Sequence, residues 1–172
     1  GVFGANMTLY GHKDQWIMID CGMGFADETM PGIDILLPDP AFATTLGNKL
    51  LGIFFTHGHE DHIGAVDHLW PRLNVPLYAT KFTMERLRQS LSEWTWGHQV
   101  KLHEVPQQGK LDIGPFHLEF IRMAHSIPEA KSIAISVKGI GTVLHTGDWK
   151  IDPDPVLGDL TDADALKKLG EA

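Results

Sequence analysis

The residue pattern predicts a layered α+β or α/β domain with β-sheet at its centre and helices on the outside. Short apolar runs of strand length occur near both ends of the chain, and stretches with helical periodicity lie between them. The chain has 172 residues, of which 43% are hydrophobic and 21% charged, so one domain with a sizeable core can form. No repeat, charge block or linker divides the sequence, and we expect a single domain over residues 1–172.

Strand-length segments dominate the first third of the chain. A turn at residues 11–14 separates the first two segments, and Pro38 and Pro40 precede a short helix at residues 41–46. The last segment is a continuous apolar run that ends at a group of histidines. The strands predicted here are residues 7–10, 15–19, 33–37 and 50–55.

Two helices are predicted in the middle of the chain. Apolar residues repeat at helical spacing over residues 63–73. Pro71 is expected to end or kink this helix, because proline lacks the N–H group that the helix requires. Residues 81–92 form an amphipathic pattern, and Thr80 is the expected N-cap.

The second half returns mainly to strands. A final short helix begins after the cap sequence Thr161-Asp162 and runs to Leu169. The predicted strands in this half are residues 75–79, 100–105, 116–123, 132–137 and 142–145.

Three histidines and two acidic residues are crowded into the six positions from His57 to His62, directly after the apolar run at 50–55. His57 and His59 are two positions apart, so in an extended segment their side chains can point to the same side. Asp61 and His62 fall at the expected start of a helix, where adjacent side chains diverge. The spacing therefore offers one pair of ligands to each of two divalent metals, about 3.5–4 Å apart. Histidine with carboxylate suits zinc or manganese.

A histidine-rich turn can also be merely solvated, or can bind metal adventitiously. Two neighbouring histidines would favour that ordinary interpretation. Three histidines and an aspartate, placed between a buried strand and a helix, favour a metal site instead.

The motif His57-Gly58-His59-Glu60-Asp61-His62 resembles the signature of the metallo-β-lactamase fold superfamily. Asp20 at the end of a strand, His125 in Ala-His-Ser-Ile-Pro and Asp148 in His-Thr-Gly-Asp-Trp follow the order and the kind of spacing of that superfamily. The resemblance covers nearly the whole chain. It implies an αββα fold of the α+β class, in which two sheets pack together with helices on their outer faces, and it makes this chain the N-terminal portion of that fold.

Finer features resemble one branch of the superfamily, the bacterial ribonuclease J group of β-CASP nucleases. The matching segments are Asn6-Met7-Thr8, Pro31-Gly32-Ile33-Asp34, Leu73-Asn74-Val75-Pro76, His125-Ser126-Ile127-Pro128 and the run from Gly141 to Asp148. The branch implies cleavage of RNA phosphodiesters by a 5′-exonuclease and endonuclease activity.

The resemblance also implies a role for each matching residue. His57, His59 and His125 would hold one metal, Asp61 and His62 would hold the other, and Asp148 would bridge both. A water or hydroxide between the metals would attack phosphorus. The resemblance assigns Asp61, His62 and Asp148, which lie at the second metal, as the catalytic residues. Asp20 would orient the ligands by hydrogen bonds rather than bind metal. His145 is a candidate for the same supporting role, and Ser126 is a candidate substrate contact.

The sequence departs from the ribonuclease J pattern at its end. In that group the second metal takes one further histidine, which follows an inserted β-CASP domain that also grips RNA. No histidine follows His145 in this chain. We therefore expect a metallo-β-lactamase domain that stops before the β-CASP insertion, a second metal site that is incomplete, and weak or no nuclease activity in this chain alone.

Two other classes of function remain open at the level of sequence. A thioesterase of the glyoxalase II kind or a lactonase would use the same metal cluster on the same fold. A non-catalytic fragment or scaffold would fit the incomplete second site. The RNA hypothesis is favoured by the stretch Ser126-Ile127-Pro128 and by the matches near the N-terminus.

The composition restricts the binding partners and the cellular setting that we expect for the protein. The net charge of −8 argues against a broad non-specific polyanion-binding surface but does not exclude RNA, because bound metals would add local positive charge. The resemblance implies that RNA is bound mainly through the β-CASP domain. The longest apolar runs are too short to cross a bilayer, and no membrane partner is expected. The single cysteine, Cys21, excludes an internal disulfide and favours a cytoplasmic setting. The full-length protein could form a homo-oligomer.

Some conspicuous residues have ordinary explanations. Cys21 is expected to be a small buried hydrophobe, and Glu60 to face outward or to support the ligand loop. Trp94 and Trp96 could stack on a base, but packing is favoured. The histidines expected to lie outside the site are His12, His68, His98, His103 and His117.

Overall fold

Two β-sheets face each other in the computed structural model, which describes residues 4–171. The first three residues of the predicted domain and its last, Ala172, lie outside this range. The first sheet has five strands in the order β1-β2-β5-β6-β7. Its strands are β1 (Thr8–His12), β2 (Gln15–Ile19), β5 (Leu50–Phe54), β6 (Leu77–Ala79) and β7 (Leu102–Glu104).

The second sheet has four antiparallel strands in the order β11-β10-β9-β8. Its strands are β8 (Lys110–Ile113), β9 (Phe116–Arg122), β10 (Lys131–Val137) and β11 (Gly141–His145). A separate two-stranded ribbon joins β3 (Gly24–Phe25) to β4 (Ile35–Leu36). In the first sheet only β1 and β2 run antiparallel, and the strands from β2 to β7 pair in parallel.

Helices cover the outer faces of the sheets. They are α1 (Ala41–Leu46), α2 (Glu60–Ile63), α3 (Val66–Leu73), α4 (Lys81–Leu91) and α5 (Ala163–Gly170). One apolar core lies between the first sheet and the helices α1, α3 and α4, and Met18, Ile53 and Leu87 belong to it. A second core fills the space between the sheets, and Phe54 and Phe120 belong to it. The order helix, sheet, sheet, helix is the predicted α+β arrangement.

Most predicted elements are present, and the differences have local causes. The strands β3 and β8 were not predicted, because two to four residues carry too little periodicity to show. The prediction of one helix over residues 63–73 is wrong in its bounds, because two helices, α2 and α3, occupy this part of the chain. Pro71 does not end α3, which continues to Leu73 and stops where Asn74 adopts a left-handed φ of 49°.

The N-cap of α4 also differs from expectation in its chemistry. Thr80 occupies the N-cap position but its side chain makes no capping hydrogen bond. The backbone N–H of Phe82 donates instead to Glu129 Oε2 at 2.9 Å, so a residue distant in sequence satisfies the helix end. Within residues 4–171, none of the helices has the length and apolar character needed to span a bilayer.

Candidate metal centre

The histidine cluster lies where β5 leaves the first sheet. After Phe54 the chain runs through buried Thr56 and His57, and α2 begins at Glu60. Thr56 also accepts a backbone hydrogen bond from Lys131 of β10 at 2.9 Å, which brings the two sheets together at this end. The cluster is therefore carried by the junction of both sheets rather than by a free loop.

Backbone hydrogen bonds hold the short helix α2 in place. The N–H groups of Asn6, Cys21 and Met23 donate to the carbonyl oxygens of Asp61, His62 and Glu60, at 3.1, 2.8 and 3.1 Å respectively. Four residues are too few for a helix to be stable by itself. The segment around residues 5–6 and the loop around residues 21–23 thus fix the direction of Asp61 and His62.

His57, His59 and His125 form the first ligand group, and one nitrogen from each lies within 4.8 Å of the others. His59 Nδ1 is 3.1 Å from His57 Nε2 and 3.2 Å from His125 Nε2. Nitrogens bound tetrahedrally to one zinc ion lie about 3.3 Å apart, given Zn–N bonds of about 2.0–2.1 Å. The observed separations match that requirement.

The second ligand group contains His57, His62 and Asp148. His62 Nε2 is 3.3 Å from Asp148 Oδ1 and 3.6 Å from Asp61 Oδ2. The other carboxylate oxygen of Asp148 lies 3.7 Å from His125 Nε2. Asp148 therefore faces a histidine of each group, and Asp61 lies beside the second group, next to His62.

Asp20 orients the ligand side chains through hydrogen bonds to His62 and Thr56. Its φ of 62° is in the left-handed region, and its side chain is only 1% exposed. Asp20 Oδ1 accepts from the Thr56 N–H at 2.8 Å, and Oδ2 lies 2.7 Å from His62 Nδ1. The Thr56 hydroxyl donates to Asp20 Oδ2 at 2.9 Å and lies 3.0 Å from His57 Nδ1. These partners assign the protons of His57 and His62 to Nδ1, which leaves both Nε2 lone pairs facing the site.

Burial and charge set the protonation of the cluster. Burial, reinforced by the neighbouring histidines His62, His125 and His59, lowers the pKa of His57 to about 2. Burial also lowers the pKa of His125, with His59 adding to the effect and Asp148 opposing it. His57 is therefore a neutral imidazole at physiological pH, which is the form that binds metal.

His62 behaves differently because it is next to acids. Burial lowers its pKa, but the hydrogen bond and charge of Asp20, with Asp61 and Asp148, outweigh burial and raise the pKa overall. The site thus places three imidazole nitrogens at one point and a histidine with two carboxylates beside it. This donor set fits one divalent metal of the zinc type at the first group and offers His62, Asp61 and Asp148 to a second, so the expectation that the second site is incomplete stays a prediction.

The remaining predicted residues lie around this centre. His145 Nδ1 is 3.0 Å from the Tyr10 hydroxyl, and His145 Nε2 is 3.9 Å from Asp20 Oδ2, so His145 lies behind Asp20 and away from the two ligand groups. Ser126 is exposed next to His125. The supporting role of His145 and the substrate contact of Ser126 stay predictions.

Three residues that contribute to the centre were not singled out from sequence. Thr56 links Asp20 to His57, and Tyr10 holds His145. Asn6 Nδ2 donates to the Asp61 carbonyl at 3.0 Å and lies 3.2 Å from His62 Nε2. Asn6 lies in one of the segments that resemble the family, and because it is 55 positions from Asp61, no local sequence pattern predicts their contact.

Residues given an ordinary explanation behave accordingly. Cys21 is fully buried in the core beside α3, and burial together with Asp20 raises its pKa to about 12. Glu60 supports the ligand loop through an ion pair with Arg86 at 2.5 Å. Trp96 stacks on buried Trp70, with ring centres 5.3 Å apart, so packing accounts for it.

Comparison with known proteins agrees with this fold. Residues 1–169 match the model of the metallo-beta-lactamase superfamily. The chain is 42% identical over 175 residues to ribonuclease J of Sinorhizobium meliloti, a match that covers 99% of this chain and 31% of that protein. It is 37% identical over 176 residues to ribonuclease J of Helicobacter pylori, covering 99% of this chain and 25% of that protein. The resemblance found in the motifs is confirmed.

The fold itself recurs in solved structures. The metallo-beta-lactamase fold protein YhfI from Bacillus subtilis superposes with a TM-score of 0.61 at 20% identity, covering 84% of this chain and 55% of that one. At this identity the likeness shows the fold alone. The chain spans 31% of the length of the Sinorhizobium meliloti relative and 25% of the length of the Helicobacter pylori relative. By its sequence match and its two facing sheets with helices outside, the chain belongs to the metallo-beta-lactamase superfamily.

Proposed function

We propose that this chain is the metal-binding catalytic part of a ribonuclease that hydrolyses RNA phosphodiesters with two divalent metals, zinc by preference. The observation that carries the proposal is the convergence of His57, His59 and His125, with His62 and Asp148 beside them. The relatives named ribonuclease J, at 42% and 37% identity, support RNA as the substrate.

The geometry supports the assignment of the ligands to two separate metals. His57, His59 and His125 would hold one metal, and Asp61 and His62 would hold the second, with Asp148 between them. Bound metals supply a water activated for attack on phosphorus and charge stabilisation for the phosphoryl oxygens.

The supporting residues keep the ligands in their binding form. Asp20 accepts a hydrogen bond from Nδ1–H of His62, and the Thr56 hydroxyl accepts one from Nδ1–H of His57, so that both rings present Nε2 lone pairs. Asp148 has 45% of its side chain exposed, which leaves the bridging carboxylate open to a substrate approaching from solvent. His145 and Tyr10 support Asp20 from the far side.

Location, charge and a substrate contact complete the proposal. A cytoplasmic location fits the buried thiol of Cys21, the single cysteine of the sequence. The net charge of −8 implies that the local charge of bound metals matters more for RNA binding than a broad basic surface does. Ser126, exposed beside His125, is a candidate contact for the substrate phosphate.

The test is hydrolysis by the intact protein and by its His59→Ala variant, with RNA, a thioester and a lactone as substrates. We expect the wild type to cleave RNA, the chelator EDTA to stop cleavage, and His59→Ala to lose at least about 100-fold in rate, because it removes a metal ligand. His98→Ala is the matched control, since His98 is exposed in a turn away from the cluster.

Two results would contradict the proposal. RNA cleavage by His59→Ala at the wild-type rate would exclude the metal mechanism. Hydrolysis of the thioester or lactone without cleavage of RNA would favour the other hydrolases of this fold.

A further inference from the structure

Helix α4 contacts both of the loops that carry the first ligand group. One loop contains His57 and His59, and the other follows β9 and contains His125. These loops are more than 60 positions apart in sequence, and His59 and His125 nevertheless bring nitrogens within 3.2 Å of each other. Some element must set the separation between the loops.

The first contact is between α4 and Gly58, which lies between the two ligands of its loop. A Cβ placed on Gly58 would lie 3.0 Å from Arg86 Cδ and 3.5 Å from Thr83 Oγ1. The stem of Arg86 therefore packs directly over the ligand loop. Its guanidinium continues to Glu60, where Arg86 Nη2 lies 2.5 Å from Glu60 Oε1. The loop is held at Gly58 by packing and at Glu60 by charge.

The second contact joins the other loop to the N-terminus of α4. Glu129 Oε2 accepts the N–H of Phe82 at 2.9 Å, and Glu129 Oε1 accepts from Gln107 Nε2 at 2.8 Å. A carboxylate at this end of a helix is favoured by the free N–H groups and by the helix dipole. Glu129 has a φ of 61°, so its backbone takes a left-handed conformation while its carboxylate reaches the helix.

The two loops also meet each other across the same helix. Ile127, two residues after His125, lies 3.6 Å from the Cβ position of Gly58. Thr83 is fully buried at this junction, so the helix and the two loops are packed closely there. A shift of α4 would move both loops at once.

We propose that Arg86 and Glu129 are positioning residues of the first ligand group. Through α4 they fix the separation of the His57–His59 loop and the His125 loop at the distance that one divalent metal requires. The inference rests on the metal centre of the proposed function and extends it to residues that bind no metal themselves.

The test is binding of Co²⁺ and Zn²⁺ alone to the metal-stripped chain, by visible absorption for Co²⁺ and by calorimetry for Zn²⁺. Arg86→Met and Glu129→Ala are each expected to weaken the tighter site about 10-fold or more and to alter the Co²⁺ ligand-field bands, as loss of supporting partners does in other metal sites. Glu129→Gln should keep near wild-type affinity, because its amide oxygen can still accept from Phe82.

Arg88→Met is the matched control for Arg86. Arg88 is on the same helix and also faces a carboxylate, with Arg88 Nε 3.4 Å from Glu85 Oε1, but this pair is exposed and remote from the ligand loops. Its removal should leave metal affinity and the Co²⁺ spectrum unchanged.

Thermal unfolding of the metal-stripped variants separates positioning from general stability. Weaker metal binding with little change in the metal-free midpoint supports positioning. Three results would overturn the proposal. The first is weaker metal binding in proportion to a lower metal-free midpoint, and the second is equally weak binding in Arg88→Met. The third is wild-type affinity in both Arg86→Met and Glu129→Ala. If the wild type binds no Co²⁺, the proposed metal centre fails and the inference fails with it. Should Arg86→Met not fold, the comparison of Glu129→Ala with Glu129→Gln decides.

Discussion

At the scale of single residues, the centre depends on side chains whose environment differs sharply from water. Asp20 is a buried carboxylate whose oxygens all have hydrogen-bond partners on Thr56 and His62, which is how a buried charge is tolerated.

Lys131 is a buried charged side chain that lacks such partners among residues 4–171. It is 1% exposed, and its Nζ makes no hydrogen bond to any described residue. Burial lowers the pKa of Lys131 from 10.5 to about 8, with Glu129 and Asp159 opposing the shift and Arg122 adding to it.

Lys131→Met is therefore expected to stabilise the metal-free chain at neutral pH. Below about pH 8 the lysine is charged in both the folded and unfolded states, and the folded state bears the whole penalty. Between about 8 and 10.5 the unfolded state binds more protons, so the wild-type free energy of unfolding rises with pH by about 3 kcal/mol. The variant should exceed the wild type by about that amount at pH 7 and match it near pH 10.5.

Urea unfolding of metal-stripped protein at pH 7, 9 and 10.5 measures this difference. Lys110→Met is the control, because Lys110 is 58% exposed and paired with Glu119, and its effect should be small at every pH. An advantage for Lys131→Met that does not change with pH would show that the folded and unfolded states bind equal numbers of protons, and therefore that burial does not lower the pKa of Lys131.

At the scale of elements, the ligand loop is held by neighbours that have no ligand role. Helix α2 has only four residues and takes its position from backbone bonds to Asn6, Cys21 and Met23. The loop after β2 approaches α2 so closely that a Cβ on Gly22 would lie 1.7 Å from the Asp61 carbonyl oxygen and 2.5 Å from the His62 nitrogen. Glycine is required there by space.

Gly22→Ala is expected to destabilise the chain by on the order of 3 kcal/mol, because the backbone of α2 must move to make room. The same movement displaces Asp61 and His62, so metal binding at the second group should be lost as well. Urea unfolding without metal and calorimetry with Zn²⁺ measure the two effects.

Gly170→Ala is the matched control for this substitution. Among residues 4–171, apart from the chain neighbours and the helix of Gly170 itself, no atom lies within 4 Å of the added Cβ, and the φ of Gly170 is not in the left-handed region. It should be neutral or slightly stabilising. If Gly22→Ala unfolds at the same urea concentration as Gly170→Ala, the close approach of the loop to α2 is wrong.

At the scale of the whole molecule, the candidate metal centre draws its residues from both sheets. His57, His59 and His62 follow β5 of the first sheet, whereas His125 follows β9 and Asp148 follows β11 of the second. Phe54 and Phe120 pack the same two sheets together through the inner core. Metal bound at the edge of the sandwich would hold together halves that apolar packing already aligns.

Zinc should therefore raise the thermal stability of the whole chain. At a free Zn²⁺ concentration about 100 times the Kd, linkage contributes about 2.7 kcal/mol, or roughly 5–10 °C in Tm for a domain of this size. His125→Ala should lose most of this shift, because the ligand from the second sheet is gone.

Thermal unfolding with Zn²⁺ and with EDTA measures the shift. His117→Ala is the control, since His117 is exposed and paired with Asp112 at 2.6 Å, and it should retain the wild-type response. An equal zinc shift in His125→Ala and the wild type would mean that zinc does not bridge the sheets.

What the sequence determined by itself is local. Apolar periodicity was enough to predict β5, α4 and most other elements, because side-chain alternation and helical spacing repeat within a few residues. The spacing within the run from His57 to His62 was enough to predict a metal site there, because these ligands lie on one short segment. The assignment of His125 and Asp148 came from resemblance and not from spacing.

Only the tertiary structure decided the long-range contacts. It placed His125 Nε2 within 3.2 Å of His59, capped α4 with Glu129 instead of Thr80, and buried Lys131. Each of these depends on how two sheets and a helix pack against one another. No pattern confined to one segment records that packing, because the free energy that selects it comes from surfaces brought together from distant parts of the chain.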